Sequence, residues 1–147
     1  MIDPGLEAQV VAAHTPKGKP IHAHPRAHEA WLAMKALAAR DEVELILHSA
    51  YRSLESQAHI IERKLKLQQP LERIFAASAP PGFSEHHTGR ALDIGTPGCE
   101  PQEEPFADTP AYAWLEANAS RFDFRLSYPR GNAQGFIYEP WHWYYAG

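Results

Sequence analysis

Two stretches of this chain concentrate residues that could do chemistry. SEHHTGRALD, residues 84–93, sets His86 beside His87 and places Asp93 seven positions after the first histidine. Further on, EPWH supplies Glu139 and His142. A single histidine is more often a surface or hydrogen-bonded group than a ligand, so convergence is what matters. A loop bearing His86 and Asp93, together with a late strand bearing Glu139 and His142, could offer three zinc ligands and a base. Catalytic zinc typically keeps three protein ligands and leaves one position open for water.

Spacing limits how these groups can meet. Residues seven apart would share a face of a helix, but Gly89 and the branched residues near Asp93 favour a loop running into a strand, with Gly89 permitting the close turn. His87 then points elsewhere, into packing or support of the ligands. Residues three apart on a regular strand face opposite sides, so the Glu139–His142 segment must twist or bulge. Pro140 fits that need, since it holds Glu139 extended and donates no ladder hydrogen bond. Arg52 lies where a strand ends and could reach into a cleft, while Gln57 and Ser84 could hydrogen-bond a substrate or the ligands. The histidines of HAHPRAH (His22, His24 and His28) lack an accompanying acid or glycine turn and read as a solvated helix start. Cys99 as a nucleophile is disfavoured by Glu100, Glu103 and Glu104, which oppose a thiolate.

The elements that must position these groups follow from periodicity. Residues 1–24 carry several prolines and read as an irregular lead-in, with the ordered domain spanning 25–147. HPRAHEAWLAMKALAAR repeats apolar residues at helical spacing, with Pro25 near its first turn. VELILHSA, residues 43–50, is a buried strand that delivers Tyr51 and Arg52. Ser53 caps a helix through LESQAHIIERKLKL whose expected apolar face is Leu54, Ala58, Ile61 and Leu65. SAPPGFSEHHTG is a loop and RALDI a short strand. Residues 95–108 have the composition of an exposed connection with no core in it. Thr109 and Pro110 start a third helix. FDFRLSY alternates as a strand with one wet face, and FIYEPWHWYY is the last strand-like segment.

The totals fit one soluble domain. The chain has 147 residues, 44% hydrophobic and 22% charged, which is close to the globular average. Fourteen basic against eighteen acidic side chains give a net charge of -4, with no basic block to follow a phosphate backbone, so nucleic acid is excluded as an expected partner. One cysteine permits no intrachain disulfide. No run reaches the ~18 apolar residues of a membrane helix, and the N-terminus has no signal-peptide pattern. The expectation is a cytoplasmic location as written, or the periplasm or cell envelope if an export segment precedes this stretch. A monomer is favoured.

SAYRSLESQ, SEHHTGRALD and YEPWHW, in this order and at about this spacing, resemble the VanY-type D-alanyl-D-alanine carboxypeptidases, zinc peptidases that trim bacterial cell-wall peptides. The likeness runs over roughly residues 25–145. It implies a small α+β fold of the Hedgehog/D,D-peptidase kind, a mainly antiparallel sheet with helices packed on it and one zinc ion in a cleft on the sheet. Carried over by residue, it implies His86, Asp93 and His142 as zinc ligands, Glu139 as general acid/base and Arg52 as the stabiliser of charge on the scissile carbonyl. Ser84, Gln57 and Tyr51 are the expected substrate-binding set. Two departures stand out: Tyr144 replaces an arginine the family often carries, and Asp123 a common glycine.

The implied reaction is hydrolysis of the last peptide bond, releasing D-alanine from a peptidoglycan peptide or muropeptide of D,D or L,D type. Glu139 would take the proton from a zinc-activated water and pass it to the leaving amine. The alternatives are an endopeptidase cutting within the wall peptide and a non-catalytic, zinc-stabilised module that only binds it.

Overall fold

The computed structural model describes residues 3–147. Its first regular elements lie in the segment expected to be irregular: β1 (Val10–His14) pairs antiparallel with β2 (Pro20–Ala23). The pattern was hidden because alanines and a proline carry weak strand signals. What holds the pair is tertiary, since Tyr51 N–H donates to His22 O at 2.6 Å and His24 N–H to Gly89 O at 2.9 Å.

Helix α1 (Pro25–Arg40) begins where expected, and its cap is His24, whose Nδ1 accepts from Arg26 N–H. Ala27, Trp31, Met34 and Ala38 form its buried stripe. Burying side chains the size of Trp31 and Met34 stabilises by about 1.5–3 kcal/mol each. Strand β3 (Ile46–Ser49) is the paired part of the apolar run and ends just before Tyr51 and Arg52.

Helix α2 (Leu54–Lys66) starts at Ser53, whose hydroxyl accepts from Ser56 N–H. Its buried residues are Gln57 and Ile61; Ile61 belongs to the expected stripe, but Leu54 and Leu65 are exposed. The helix covers a polar cleft rather than the core, so its apolar period misstates part of the inward side. A short α3 (Leu71–Ala77) follows, an element the sequence did not announce.

Residues 85–88 make a single 3-10 turn, and β4 (Ala91–Gly95) then runs through the interior, buried along its whole length. The connection after it is not free of core: Phe106 is 1% exposed. Helix α4 (Pro110–Asn118) is capped by Thr109, as its Thr-Pro start requires. Strand β5 (Phe124–Leu126) follows Asp123, whose φ of 63° takes the left-handed turn that a glycine would otherwise supply. Only His142–Tyr145 of the last segment is a strand, β6. The sheet is antiparallel in the order β3-β4-β6-β5. Two central strands, β4 and β6, therefore carry the two ends of the chemistry.

Candidate metal centre

Register brings the distant motifs together: Asp93 on β4 lies directly opposite His142 on β6. His86 arrives from the 3-10 turn, where Ser84 Oγ accepts from His86 N–H at 3.2 Å. Gly89 closes that turn at φ 73°, a conformation side chains rarely adopt. Ligand atoms of His86, Asp93 and His142 lie within 4.8 Å of one another, and all three residues are buried.

Each imidazole is oriented by a partner on its far side. His86 Nδ1 lies 2.7 Å from Ala50 O and so donates to it, turning Nε2 toward Asp93 Oδ1 at 3.3 Å. His142 Nε2 lies 2.8 Å from Glu85 Oε1, leaving Nδ1 3.5 Å from Asp93 Oδ1 and 3.6 Å from Glu139 Oε1. Asp93 Oδ2 accepts from Gln102 Nε2 at 2.8 Å, whereas Oδ1 is buried with no hydrogen-bond partner among the described residues. An acceptor oxygen that faces two imidazole nitrogens and lacks a donor is expensive to bury. A divalent cation on the inner side of the three would satisfy it. One carboxylate and two nitrogens form a donor set suited to zinc, with far-side hydrogen bonds of the kind that hold metal-binding histidines.

The charges reinforce one another. Burial would raise Asp93, but the adjacent His86 and His142 hold its carboxyl well below the usual range. Burial pushes the His86 imidazole down. For His142 burial works in the same direction, yet the carboxylates of Asp93 and Glu85 outweigh it and lift the imidazole to about 9. Glu139 is pushed up to about 7 by burial, against the pull of His142 and with the help of Asp93.

Glu139 reaches the cluster by a turn rather than a strand bulge. His142 N–H closes back on Glu139 O at 3.2 Å, and Pro140, between them, needs no donor. Glu139 N–H is held by Tyr128 O at 3.0 Å. The triad and Glu139 open on a cleft of about 260 Å³ that is also lined by Arg52, Lys64, Ser78, Ser84 and Tyr128.

The other sequence candidates divide. Arg52 lines the cleft, and its Nη1 donates to Gln57 Oε1 at 2.9 Å. Gln57 does not line it: its Nε2 donates to Ala79 O at 2.6 Å, so it braces Arg52 against the α3 end. Ser84 is at the cleft wall as well as the turn. Tyr51 is elsewhere, beside a neighbouring cavity, with its hydroxyl donating to Asp3 at 2.8 Å. Arg52 borders both cavities, while Tyr51 borders the second and is held there by Asp3. His87 is fully buried. Its Nδ1 lies 2.8 Å from Arg52 O and its Nε2 accepts from Gly82 N–H at 3.0 Å, which locks the turn to the strand bearing Arg52.

Sequence reasoning missed Glu85, Gln102 and Lys64. Glu85 is 8% exposed and accepts from Ser127 Oγ at 2.6 Å as well as facing His142. Arg125 lies 3.6 Å from its other oxygen, and that guanidinium stacks 4.8 Å from the ring of Tyr144. Arg125 and Tyr144 are register partners, so the strand next door delivers a cation where position 144 has none. An acid beside two histidines was the available signal for Glu85. Gln102 sits in a loop whose composition gave none.

The chain is similar to known carboxypeptidases. A family model described as VanY, D-alanyl-D-alanine carboxypeptidase, matches residues 20–147. The putative carboxypeptidase YodJ of Bacillus subtilis strain 168 is 34% identical over 125 residues, 82% of this chain and 45% of the relative. Among solved structures, the LdcB LD-carboxypeptidase superposes with a TM-score of 0.87 at 30% identity, covering 99% of this chain and 70% of that one. A D,D-pentapeptidase VanY in complex with Zn(II) gives 0.72 at 28% identity, covering 92% of this chain and 78% of the other. The chain spans between 30% and 58% of the length of the curated relatives it matches.

Proposed function

This chain belongs to the VanY family of D-alanyl-D-alanine carboxypeptidases, and from that membership we propose that it is a zinc-dependent carboxypeptidase that removes the terminal D-alanine from peptidoglycan peptides. The observation that carries the reading is the buried triad of His86, Asp93 and His142, with Asp93 Oδ1 lacking a donor among the described residues and Glu139 beside it at the mouth of a cleft. The proposed unit runs from the β1–β2 hairpin to the last strand.

His86 Nε2, Asp93 Oδ1 and His142 Nδ1 would hold the ion. When bound, zinc supplies Lewis acidity, polarising a carbonyl and making a water acidic near neutral pH. Glu139, 3.6 Å from His142 Nδ1 and lining the cleft, is placed to accept a proton from that water. The water oxygen bonds to the carbonyl carbon, the C–N bond to the terminal residue breaks, and Glu139 returns the proton to the departing amine. Arg52, fixed by Gln57, neutralises negative charge building on the carbonyl oxygen.

Incubating the purified, zinc-loaded protein with free wall tetrapeptides and pentapeptides, and identifying products by mass, tests the reading. Loss of one alanine is the expected result. The peptide that loses it decides between D,D and L,D specificity, cleavage within the chain would make the protein an endopeptidase, and binding without cleavage would leave a peptide-binding module. Among the described residues no helix is long and apolar enough to cross a membrane.

A further inference from the structure

The cleft contains more positive charge than the reaction just described uses. Besides Arg52, its wall on the α2 side presents Arg63 and Lys64, in a protein whose net charge is -4. Arg63 is exposed and Lys64 half-buried. The Lys64 ammonium donates to the hydroxyl of Ser78, a buried neutral group at the end of α3. Among the described residues it forms no ion pair. An ammonium carries three donors, so one neutral acceptor leaves Lys64 able to bond an anion that enters the cleft.

Its position says which anion. Lys64 and Arg52 line the same cleft as Glu139, the group that protonates the leaving amine. In the departing residue of a carboxypeptidase substrate the carboxylate is two bonds from that nitrogen. A charge near Glu139 and distinct from Arg52 is where such a carboxylate needs its partner.

We propose that Lys64, steadied by Ser78, receives the terminal carboxylate of the substrate and so restricts the site to the end of a peptide chain. The assignment rests on the carboxypeptidase reading and names the residue that makes it an exopeptidase. Charge-assisted hydrogen bonds are the strong ones, and losing this one should weaken the free-acid substrate roughly 10- to 100-fold.

Peptides with a free C-terminal carboxylate and their C-terminal amides, assayed side by side, test it in the wild type, Lys64→Met and Lys64→Arg. The wild type should prefer the acid. Lys64→Met should lose that preference mainly through a raised KM, with zinc content unchanged, and Lys64→Arg should recover part of it. An unchanged acid-to-amide ratio in Lys64→Met overturns the assignment. Direct binding of the same pairs to Glu139→Ala and to Glu139→Ala/Lys64→Met separates the two readings. If the wild type cleaves nothing yet the acid is still bound preferentially through Lys64, hydrolysis fails and the carboxylate site stands. If neither acid nor amide binds, both fail.

Discussion

His142 Nε2 lies 2.8 Å from Glu85 Oε1, and this contact decides which nitrogen of the imidazole faces Asp93. Ser127 Oγ holds the same oxygen at 2.6 Å, so the acceptor is itself fixed. Replacing Glu85 with Gln keeps the shape but weakens the acceptor. Zinc affinity, measured by competition with a chromophoric chelator, should fall about 10- to 100-fold, as is typical when such outer partners of a metal ligand are changed. Unaltered affinity would show that the imidazole orients itself.

Glu139→Ala removes a base and no ligand. Zinc should remain stoichiometric by metal analysis while hydrolysis of a wall peptide falls by roughly 10²- to 10⁴-fold. Near-normal turnover would require another base in the cleft.

Arg52 and Gln57 should behave as a unit, because Gln57 ties the guanidinium to Ala79 O and does not line the cleft itself. Arg52→Ala should lower kcat far more than zinc content. Gln57→Leu should reproduce a smaller part of that loss, and the double variant should be no worse than Arg52→Ala alone. Additive losses would separate the two residues.

His142 and Glu139 each make the stability of the metal-free protein fall as pH rises, while His86, pushed down by burial, works the other way below about 6.5, so the net decline should be read between about 6.5 and 9. His142, lifted to about 9, contributes stability that is fully present below its unfolded value near 6.5 and is lost as pH climbs through 9. Glu139, lifted to about 7 by burial, has the same sign: its contribution is complete below 4.5 and is lost through 7. Thermal melts of chelator-treated protein should show the decline, on the order of 3 kcal/mol for Glu139 at most, and Glu139→Gln should flatten its lower part. Metal binding must displace the His142 proton below pH 9, so calorimetry in buffers of different ionisation enthalpy should detect proton release.

Gly89→Ala should be destabilising by about 2 kcal/mol or more, read as a lowered urea midpoint. The φ of 73° is strained for alanine, and its Cβ would come within 2.8 Å of the His24 amide that bonds Gly89 O. Zinc affinity should fall with it, since the same turn presents His86.

Part of the site was legible in residue types: His86, Asp93, Glu139 and His142 are the kinds of group from which three zinc ligands and a base can be drawn, and Gly89 lets the loop turn sharply between the first two. Which three are the ligands was what the resemblance to the VanY-type family implied. Thr109-Pro110, Ser53 and the Trp31 stripe likewise announced elements from local chemistry that tertiary contacts did not override. What stayed hidden depended on neighbours distant in the chain. The β1–β2 hairpin is held by Tyr51 and Gly89, the inward face of α2 is set partly by a cleft rather than by apolar period, and Tyr51 is held beside a second cavity by Asp3. The sequence by itself determined which candidate donors are present and the order of the motifs that carry them. Only the tertiary structure decided which atom of each imidazole is offered, that Glu85 and Ala50 choose it, and that Lys64, bonded to Ser78, lines the same cleft as Glu139. Local periodicity encodes which side chains are apolar, whereas hydrogen-bond partners and charge pairs are fixed by strand register and by helices that cross the cleft.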